Sequence, residues 1–210
     1  MKIITSNLFI DYDGDRTRSL LDSKLLTMTD PDIIMVQELH YKQKEIFDNA
    51  LSDYICVFPT YTHMACGIYV KKGFVVSNHV YLPYTQTFMD RGMYAVCVDD
   101  VWYITSHLES LNKQQFEKIR LSQIAEIEKF IYDKPTVVIG LDSNVIGDVN
   151  IYNVFDAWYD NPVPTWFAER YFGYDAKERY DRFLTKGISI TNKEIIKNQY
   201  SDHDILYIQI

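Results

Sequence analysis

The 210-residue chain is short of cysteine, of long apolar runs and of positive charge, and each shortage excludes something. Its three cysteines, Cys56, Cys66 and Cys97, are odd in number and show no CxxC spacing. Neither a disulfide framework nor a zinc knuckle is indicated, and a reducing compartment fits best. No apolar run approaches the ~18 residues that a membrane span needs, and no basic segment leads into an apolar one at the N-terminus. The expectation is an intracellular protein, cytoplasmic or nuclear, with no membrane partner and a mature start near Met1. The formal net charge is −8. Tight, sequence-blind binding to long duplexes relies on many cationic phosphate contacts, so it is disfavoured; a nucleic-acid enzyme with a local basic path is not. GxSxG, the P-loop and GxGxxG are all missing, which leaves acyl transfer, nucleoside-triphosphate hydrolysis and dinucleotide redox without support. No repeat, low-complexity segment or Gly/Ser linker divides the chain, so residues 1–210 read as one domain.

What is present is an ordinary globular composition, 47% hydrophobic and 24% charged. Apolar runs predict strands over Lys2–Leu8, Asp32–Glu38, Tyr54–Phe58, Gly67–Lys71, Tyr94–Val98, Trp102–His107, Thr136–Leu141, Tyr180–Thr185, Ile188–Thr191 and Ile205–Ile210. Amphipathic stretches predict helices over about Arg16–Met28, Lys42–Leu51 and Lys113–Tyr132. In the last, Phe116, Ile119, Ile124, Ile127, Phe130 and Ile131 fall within an arc of roughly 140°, a core-facing stripe. Many short strands and few helices, not in strict βαβ alternation, point to stacked sheets covered by helices, an α/β architecture.

The strands share a habit. "MKIITSN" ends in Asn7, "DIIMVQE" in Glu38, "VWYITSH" in His107, and "TVVIGLDSN" in Asp142 and Asn144. Asp202 and His203 precede the final strand, and Asp181 sits in "RYDRF". Buried carboxylates are costly unless paired or metal-bound, so several strands ending this way suggest that the ends meet. Carboxylate and amide oxygens suit Mg²⁺ or Mn²⁺, and nothing here suits zinc. Two histidines beside them can donate to an anion, a combination that fits metal-assisted attack on a phosphate ester. Any one of these residues alone could be a turn or a satisfied core group.

In chain order, Ser6-Asn7, Gln37-Glu38, Ser106-His107, Asp142–Asn144 and Ser201–His203 resemble the five blocks of the endonuclease/exonuclease/phosphatase superfamily, the DNase I-like fold. The string "TSHLES" (Thr105–Ser110), with "RGMYAVCV", "FDAW", "PTW" and "RYDRF", resembles its tyrosyl-DNA phosphodiesterase 2 (TDP2) branch. The resemblance implies a four-layer sandwich of two mixed β-sheets flanked by helices. It implies that Glu38 binds Mg²⁺, with Mn²⁺ able to substitute, and that Asn7 and Asp202 lie close to the metal. Asp142 would orient or deprotonate the attacking water, assisted by Asn144. His203, held by Asp181, and His107 would contact the phosphoryl oxygens. Ser110, Trp166 and Arg179 would meet the substrate, a single-stranded, protein-linked nucleic-acid end, and the enzyme is expected to be a monomer. A nuclease or deadenylase acting on ordinary phosphodiesters is the alternative, and a catalytically inactive binding relative a more distant one.

The chain departs from the family pattern at three places. Leu141 stands where a glycine is usual, Ile146 where the branch has an arginine, and Asp204 where an aromatic follows the last histidine. Between Tyr152 and Tyr180 lie ten aromatic residues with Arg170, Lys177 and Arg179 interleaved. Most of these rings are expected to fill the core beneath a long connection, and the remainder to offer a stacking platform for unpaired bases.

Overall fold

A computed structural model describes residues 1–9, 16–57, 65–111 and 113–210. The β-branched runs form two six-stranded mixed sheets. The first has the order β13-β14-β1-β2-β4-β3, and the second β5-β6-β7-β8-β12-β9. In the first, β1 (Lys2–Asn7) and β2 (Ile33–Leu39) run parallel at the centre, with β14 (Ile205–Gln209) antiparallel to β1. In the second, β7 (Val101–His107) and β8 (Val137–Asp142) form the central parallel pair, with β12 (Asp181–Lys186) antiparallel to β8. The outer strands are β3 (Tyr54–Cys56), β4 (Ala65–Lys71) and β13 (Asn192–Ile196) in one sheet, and β5 (Val76–Pro83), β6 (Gly92–Val98) and β9 (Phe155–Asp156) in the other. A small ribbon pairs β10 (Trp166–Phe167) with β11 (Lys177–Glu178).

The central strands are covered on both faces, which is why they read as near-continuous apolar runs. Alternate residues face opposite ways. Ile3, Ile33 and Met35 pack between the sheets with Val96, Tyr103, Val138 and Phe183. Ile4, Ile34 and Val36 face outward, against Leu26 of α1 (Arg16–Thr27) and Phe47 of α2 (Tyr41–Ala50). On the far side, Ile104 and Ile139 meet Ile124, Ile127 and Ile131 of α3 (Gln114–Ile131). The four layers expected from the sequence are therefore present.

Besides the two-residue strands β9, β10 and β11, which are too short to leave a pattern, two elements differ from expectation. β5 was not foreseen, because its Ser77, Asn78 and His79 are exposed on a sheet edge and leave no apolar pattern. The strand expected at Ile188–Thr191 instead begins at Asn192, where pairing with Gln209 starts; Ile188 and Ile190 pack on the inter-sheet core from a loop that leaves the Gly187 turn. The end of the strand expected over Tyr54–Phe58 lies outside the described residues. No helix among the described residues is long and apolar enough to cross a membrane.

The sheets approach closely at Gly140. A Cβ there would stand 2.6 Å from the Met35 methyl and 2.7 Å from Thr5 Cβ, both on the opposite sheet. Beside it the wholly buried Gln37 amide donates to Thr5 Oγ1 (2.9 Å) and Thr105 Oγ1 (2.8 Å), tying β1, β2 and β7 together. Gly140→Ala is expected to lower stability by about 1–3 kcal/mol, the usual cost of overpacking a filled core. A denaturation midpoint equal to that of the unsubstituted protein would contradict this close approach.

Candidate active site

Parallel pairing places strand C-termini side by side. Asn7 ends level with Gln37, and His107 with Asp142. Antiparallel pairing sets Asp181 directly opposite Asp142. Asp202 and His203 precede β14, at the same edge, because β14 runs opposite to β1. Topology thus gathers onto one rim the side chains that appear scattered along the sequence. β2 adds a bulge between Val36 and Leu39, within which Glu38 takes a left-handed backbone (φ 56°). A bulge re-aims the side chain that carries it, and such strain in a non-glycine residue gathers at functional sites.

Asn7 joins the two sheets. Its Nδ2 donates to Asp142 Oδ2 (2.8 Å) and more weakly to Glu38 Oε1 (3.3 Å), while its Oδ1 accepts from Phe9 N–H (2.9 Å). Asn7 thus serves here as a bridge between the two carboxylates. Asn144, itself at φ 49°, donates its backbone N–H to Asp142 Oδ1 (3.0 Å). Burial pushes the Asp142 carboxyl up to about 6, with Asp181 and Glu38 adding to the rise and His203 and Asn7 opposing it.

His203 Nδ1 meets Asp181 Oδ2 at 2.8 Å, and its Nε2 lies 3.8 Å from both Asp142 Oδ2 and Asp202 Oδ1. Burial alone would lower its pKa, but Asp181, Asp202 and Asp142 together raise it to about 10. At neutral pH this ring is a cation. His107 behaves oppositely. Burial first, then Arg91 and His203, hold it well below the ordinary histidine value. Its Nε2 lies 3.4 Å from Asp142 Oδ2 and from Ser110 Oγ. Ser110 also neighbours Asn144 Nδ2 (3.5 Å).

The segment around "PTW" stitches these parts together. Thr165 Oγ1 accepts from Asp181 N–H, Thr165 O from Asp204 N–H, and Asp202 O from Phe167 N–H. Trp166 donates its indole N–H to Asp202 Oδ2 (2.7 Å). The structure thus gives Trp166 a role in orienting Asp202. Arg179 is not brought to the cluster: its guanidinium pairs with Asp156 of β9. Asp204 explains its own departure from the family pattern. Fully buried, it accepts from Arg170 (2.7 Å), Lys197 (2.8 Å) and the Asn198 backbone N–H (3.1 Å), so charge holds the loop before β14 where an aromatic ring was expected.

One central residue escaped the sequence reading. Arg91, almost wholly buried, places Nη1 2.9 Å from His107 Nδ1 and Nη2 3.3 Å from Ser110 Oγ. Its position just before β6, inside the quoted "RGMYAVCV", was the available signal.

The donor set suits a hard divalent cation. Glu38, Asp142, Asp181 and Asp202 bring four carboxylates against two cations, Arg91 and the His203 ring, and one buried oxygen each of Asp181 and Asp202 has no hydrogen-bond partner among the described residues. Asp142, Asp181 and His203 also place ligand atoms within 4.8 Å of one another. While Asp181 keeps His203 protonated, however, that imidazole cannot ligate a metal. Glu38, joined to Asp142 through the Asn7 amide, brings a further carboxylate to the edge of that cluster.

The sequence matches no protein-family model and no curated protein. Solved structures do match across nearly the whole chain, and they define the fold as that of the endonuclease/exonuclease/phosphatase proteins. One is such a protein from Bacteroides vulgatus, with a TM-score of 0.82, 15% identity and coverage of 99% of this chain and 97% of that one. The likeness extends to TDP2. A D. rerio TDP2 humanized by 14 mutations superposes with a TM-score of 0.87 at 18% identity, covering 99% and 97% of the two chains. D. rerio TDP2 complexed with a single-strand DNA product gives 0.85 at 20%, with the same coverage.

The His203–Asp181 pairing is testable without a substrate. By NMR titration, the His203 ring should remain protonated well above pH 8, and Asp181→Asn should drop its pKa by several units, to 6.5 or below. Because the pKa is raised on folding, the associated stability is complete below about pH 6.5 and is lost as the pH rises through about 10; Asp181→Asn should flatten that decline. A wild-type His203 that titrates at the ordinary value would break the pairing.

Proposed function

We propose that this chain is a divalent-metal-dependent phosphodiesterase. It hydrolyses the bond between a protein tyrosine and the 5′-phosphate of a nucleic-acid end, leaving a 5′-phosphate. One observation carries the reading: Asp142 stands between a carboxylate side, Glu38 with Asn7, and a cationic side, His203 with Asp181. A proton acceptor with a pKa near neutrality thus adjoins donors for an anion.

Asp142 takes the proton of the attacking water, oriented by the hydrogen bonds from Asn7 and from the Asn144 backbone. The His203 imidazolium, held by Asp181, and the Nε2 side of His107 donate to the phosphoryl oxygens, where negative charge grows during in-line displacement. Arg91 adds positive charge behind His107. A divalent ion held by Glu38, with Asp202 nearby, would supply Lewis-acid polarisation of the phosphate. A tyrosine phenol has a pKa of about 10, so it departs without strong general-acid help.

The surface beside the site supports a single-stranded end. Of the ten aromatic residues between Tyr152 and Tyr180, only Trp158 and Tyr180 are buried, while Tyr152, Phe155, Tyr159, Tyr171, Phe172 and Tyr174 are exposed. The expectation that most of them fill the core is thereby corrected: the connection runs over the surface, and the core beneath it is already filled by strand residues. Phe9, two residues past Asn7, packs on Tyr171 (4.4 Å between centroids) and Phe172 (5.9 Å), with the Arg18 guanidinium 5.5 Å from its ring. Stacking on such rings contributes roughly 1–3 kcal/mol per base without needing a long basic footprint. On the other side of Asn144, a groove of about 420 Å³ passes Lys113, Arg120 and the exposed Ile146. TDP2 is also the neighbour solved with a single-strand DNA product.

Asp142→Asn is expected to lower kcat by about 10²–10⁴-fold with substrate binding retained; a change confined to KM would reduce Asp142 to a positioning role. Glu38→Gln should raise the Mg²⁺ concentration needed for half-maximal rate, and an unchanged Mg²⁺ titration would count against Glu38 as the metal's host. The substrate assignment is tested by side-by-side rates on 5′-phosphotyrosyl, 3′-phosphotyrosyl, abasic and unmodified single-stranded oligonucleotides. The 5′-phosphotyrosyl end should react fastest. Equal rates on unmodified strands would favour a nuclease or deadenylase.

A further inference from the structure

We propose that Glu109 is a positioning residue, which holds the loop 85–91 so that Arg91 meets Nδ1 of His107 and fixes the nitrogen on which that imidazole carries its proton. The proposal rests on the reading of His107 as a contact to the phosphoryl group.

Glu109 follows His107 by two residues and is wholly buried. A carboxylate in that position is costly unless it accepts hydrogen bonds. Its Oε2 accepts from Thr87 Oγ1 (3.0 Å) and Phe88 N–H (2.9 Å), with a longer approach from Gln123 Nε2 (3.4 Å). Oε1 has no partner. Two of the three donors belong to the loop, so the carboxylate's main occupation is to hold that loop. Thr87 Oγ1 then accepts Arg91 N–H (2.8 Å), and Arg91 Nη1 reaches His107 Nδ1 (2.9 Å). A chain of short contacts leads from Glu109 through Thr87 and Arg91 back to the histidine two residues before it.

α3 backs this clamp. Gln123 accepts Glu109 N–H on its Oε1 (2.9 Å) and donates its Nε2 to Gln86 O (3.1 Å), while Arg120 donates to Glu109 O (2.9 Å). Arg120 and Gln123 lie three residues apart and share a helix face. Both are buried, on the face that carries Phe116 and Ile127. Polar side chains on a core face seek partners, and here Gln123 and the Arg120 Nη1 find them in the two segments that flank the site.

The consequence for His107 follows from donor chemistry. A guanidinium has five N–H donors and no acceptor. Nδ1 of His107 must therefore present its lone pair to Arg91, and the proton of the neutral ring sits on Nε2. That nitrogen faces Asp142 Oδ2 and Ser110 Oγ, each at 3.4 Å. The other tautomer would aim a bare nitrogen at the Asp142 carboxylate and an N–H at Arg91, and would leave nothing to donate into the cleft.

Imidazole ¹⁵N spectra of the full chain, labelled in histidine, read the tautomer directly, without any substrate. The wild type should show His107 protonated at Nε2 and not at Nδ1. Glu109→Ala should move the Nδ1 signal toward a mixture of tautomers and lower kcat on a 5′-phosphotyrosyl oligonucleotide by about 10–100-fold, with KM changed little, the scale expected when a group slips by about 1 Å. Glu109→Gln keeps the acceptor for Thr87 and Phe88 and should restore the wild-type spectrum and most of the rate. Thr87→Val, at a half-buried position, breaks the same chain one link on; it should shift the tautomer similarly and serves if Glu109→Ala does not fold. A wild-type His107 protonated at Nδ1, or a tautomer unchanged in a folded Glu109→Ala or Thr87→Val variant, overturns the proposal. A tautomer that responds as expected in a protein inactive on every phosphodiester would support the positioning role and reject the functional reading on its own.

Discussion

Everything at the rim depends on one hydrogen-bonded amide. Asn7 ends β1 in the first sheet, and Asp142 ends β8 in the second. The 2.8 Å contact between them closes the gap between the sheets at the edge where their strands stop. A hydrogen bond to a carboxylate contributes about 1.5–3 kcal/mol, and this one also sets the distance from Asp142 to Glu38, which Asn7 contacts through the same nitrogen. Gln37 repeats the arrangement one layer down, joining Thr5 and Thr105 across the sheets. Gly140 lets the backbones come close enough for both bridges to form. The site is therefore a property of the sandwich as a whole: Asn7, Glu38, His107, Asp142 and His203 lie on five strands or strand approaches, and no short segment contains it.

That geometry solves an electrostatic problem. Four carboxylates in one partly dry pocket repel one another, and burial raises Asp142 and Asp202. The pocket divides the charge. On one side Asp181, with Asp202 and Asp142, keeps His203 protonated at neutral pH. On the other, Arg91 stands behind a His107 that burial holds neutral, and the Glu38 carboxylate, which we propose as the metal's host, lies beyond Asn7. The loop before β14 is held on the cationic side by Asp204, Arg170 and Lys197, another fully buried carboxylate compensated by two cations. Charged pairs thus fix the backbone where the family pattern would use an aromatic ring. Leu141, at the position of a usual glycine, packs into the core beneath α3 without disturbing Asp142 beside it.

Much of this was legible in the sequence because the central strands are buried on both faces. Runs such as "DIIMV" and "TVVI" announce themselves, and a polar residue that ends such a run is conspicuous. Asn7, Glu38, His107 and Asp142 could be found that way, Asp181 and His203 stand at the start of a strand or just before one, and the structure brings all six together. The edge strand β5 carries exposed polar residues and left no such trace. Arg91 and Gln123 were hidden for a related reason: a polar residue in a loop or on a helix reads as solvated, and Glu109, expected with Ser110 at the rim of the cleft, is instead wholly buried. One clue was present. Phe116, Arg120, Gln123 and Ile127 follow the i, i+4, i+7, i+11 spacing of a single stripe, so the two polar members had to be buried with the apolar ones. Arg179 and most of the Tyr152–Tyr180 aromatics were misjudged because local composition does not say which partner a cation finds, or whether a long connection runs over the core or the surface.

The division of charge into a metal-holding half and an imidazolium half is the central claim, and Mn²⁺ tests it most directly. Titrated into ¹⁵N-labelled protein, Mn²⁺ should first broaden the signals nearest Glu38, namely the Asn7 side-chain amide and the amides of Glu38 and Leu39, while the His203 ring keeps both of its protons. Broadening centred instead on Asp181 and His203, with loss of an imidazole proton, would place the metal in the other half and contradict the account.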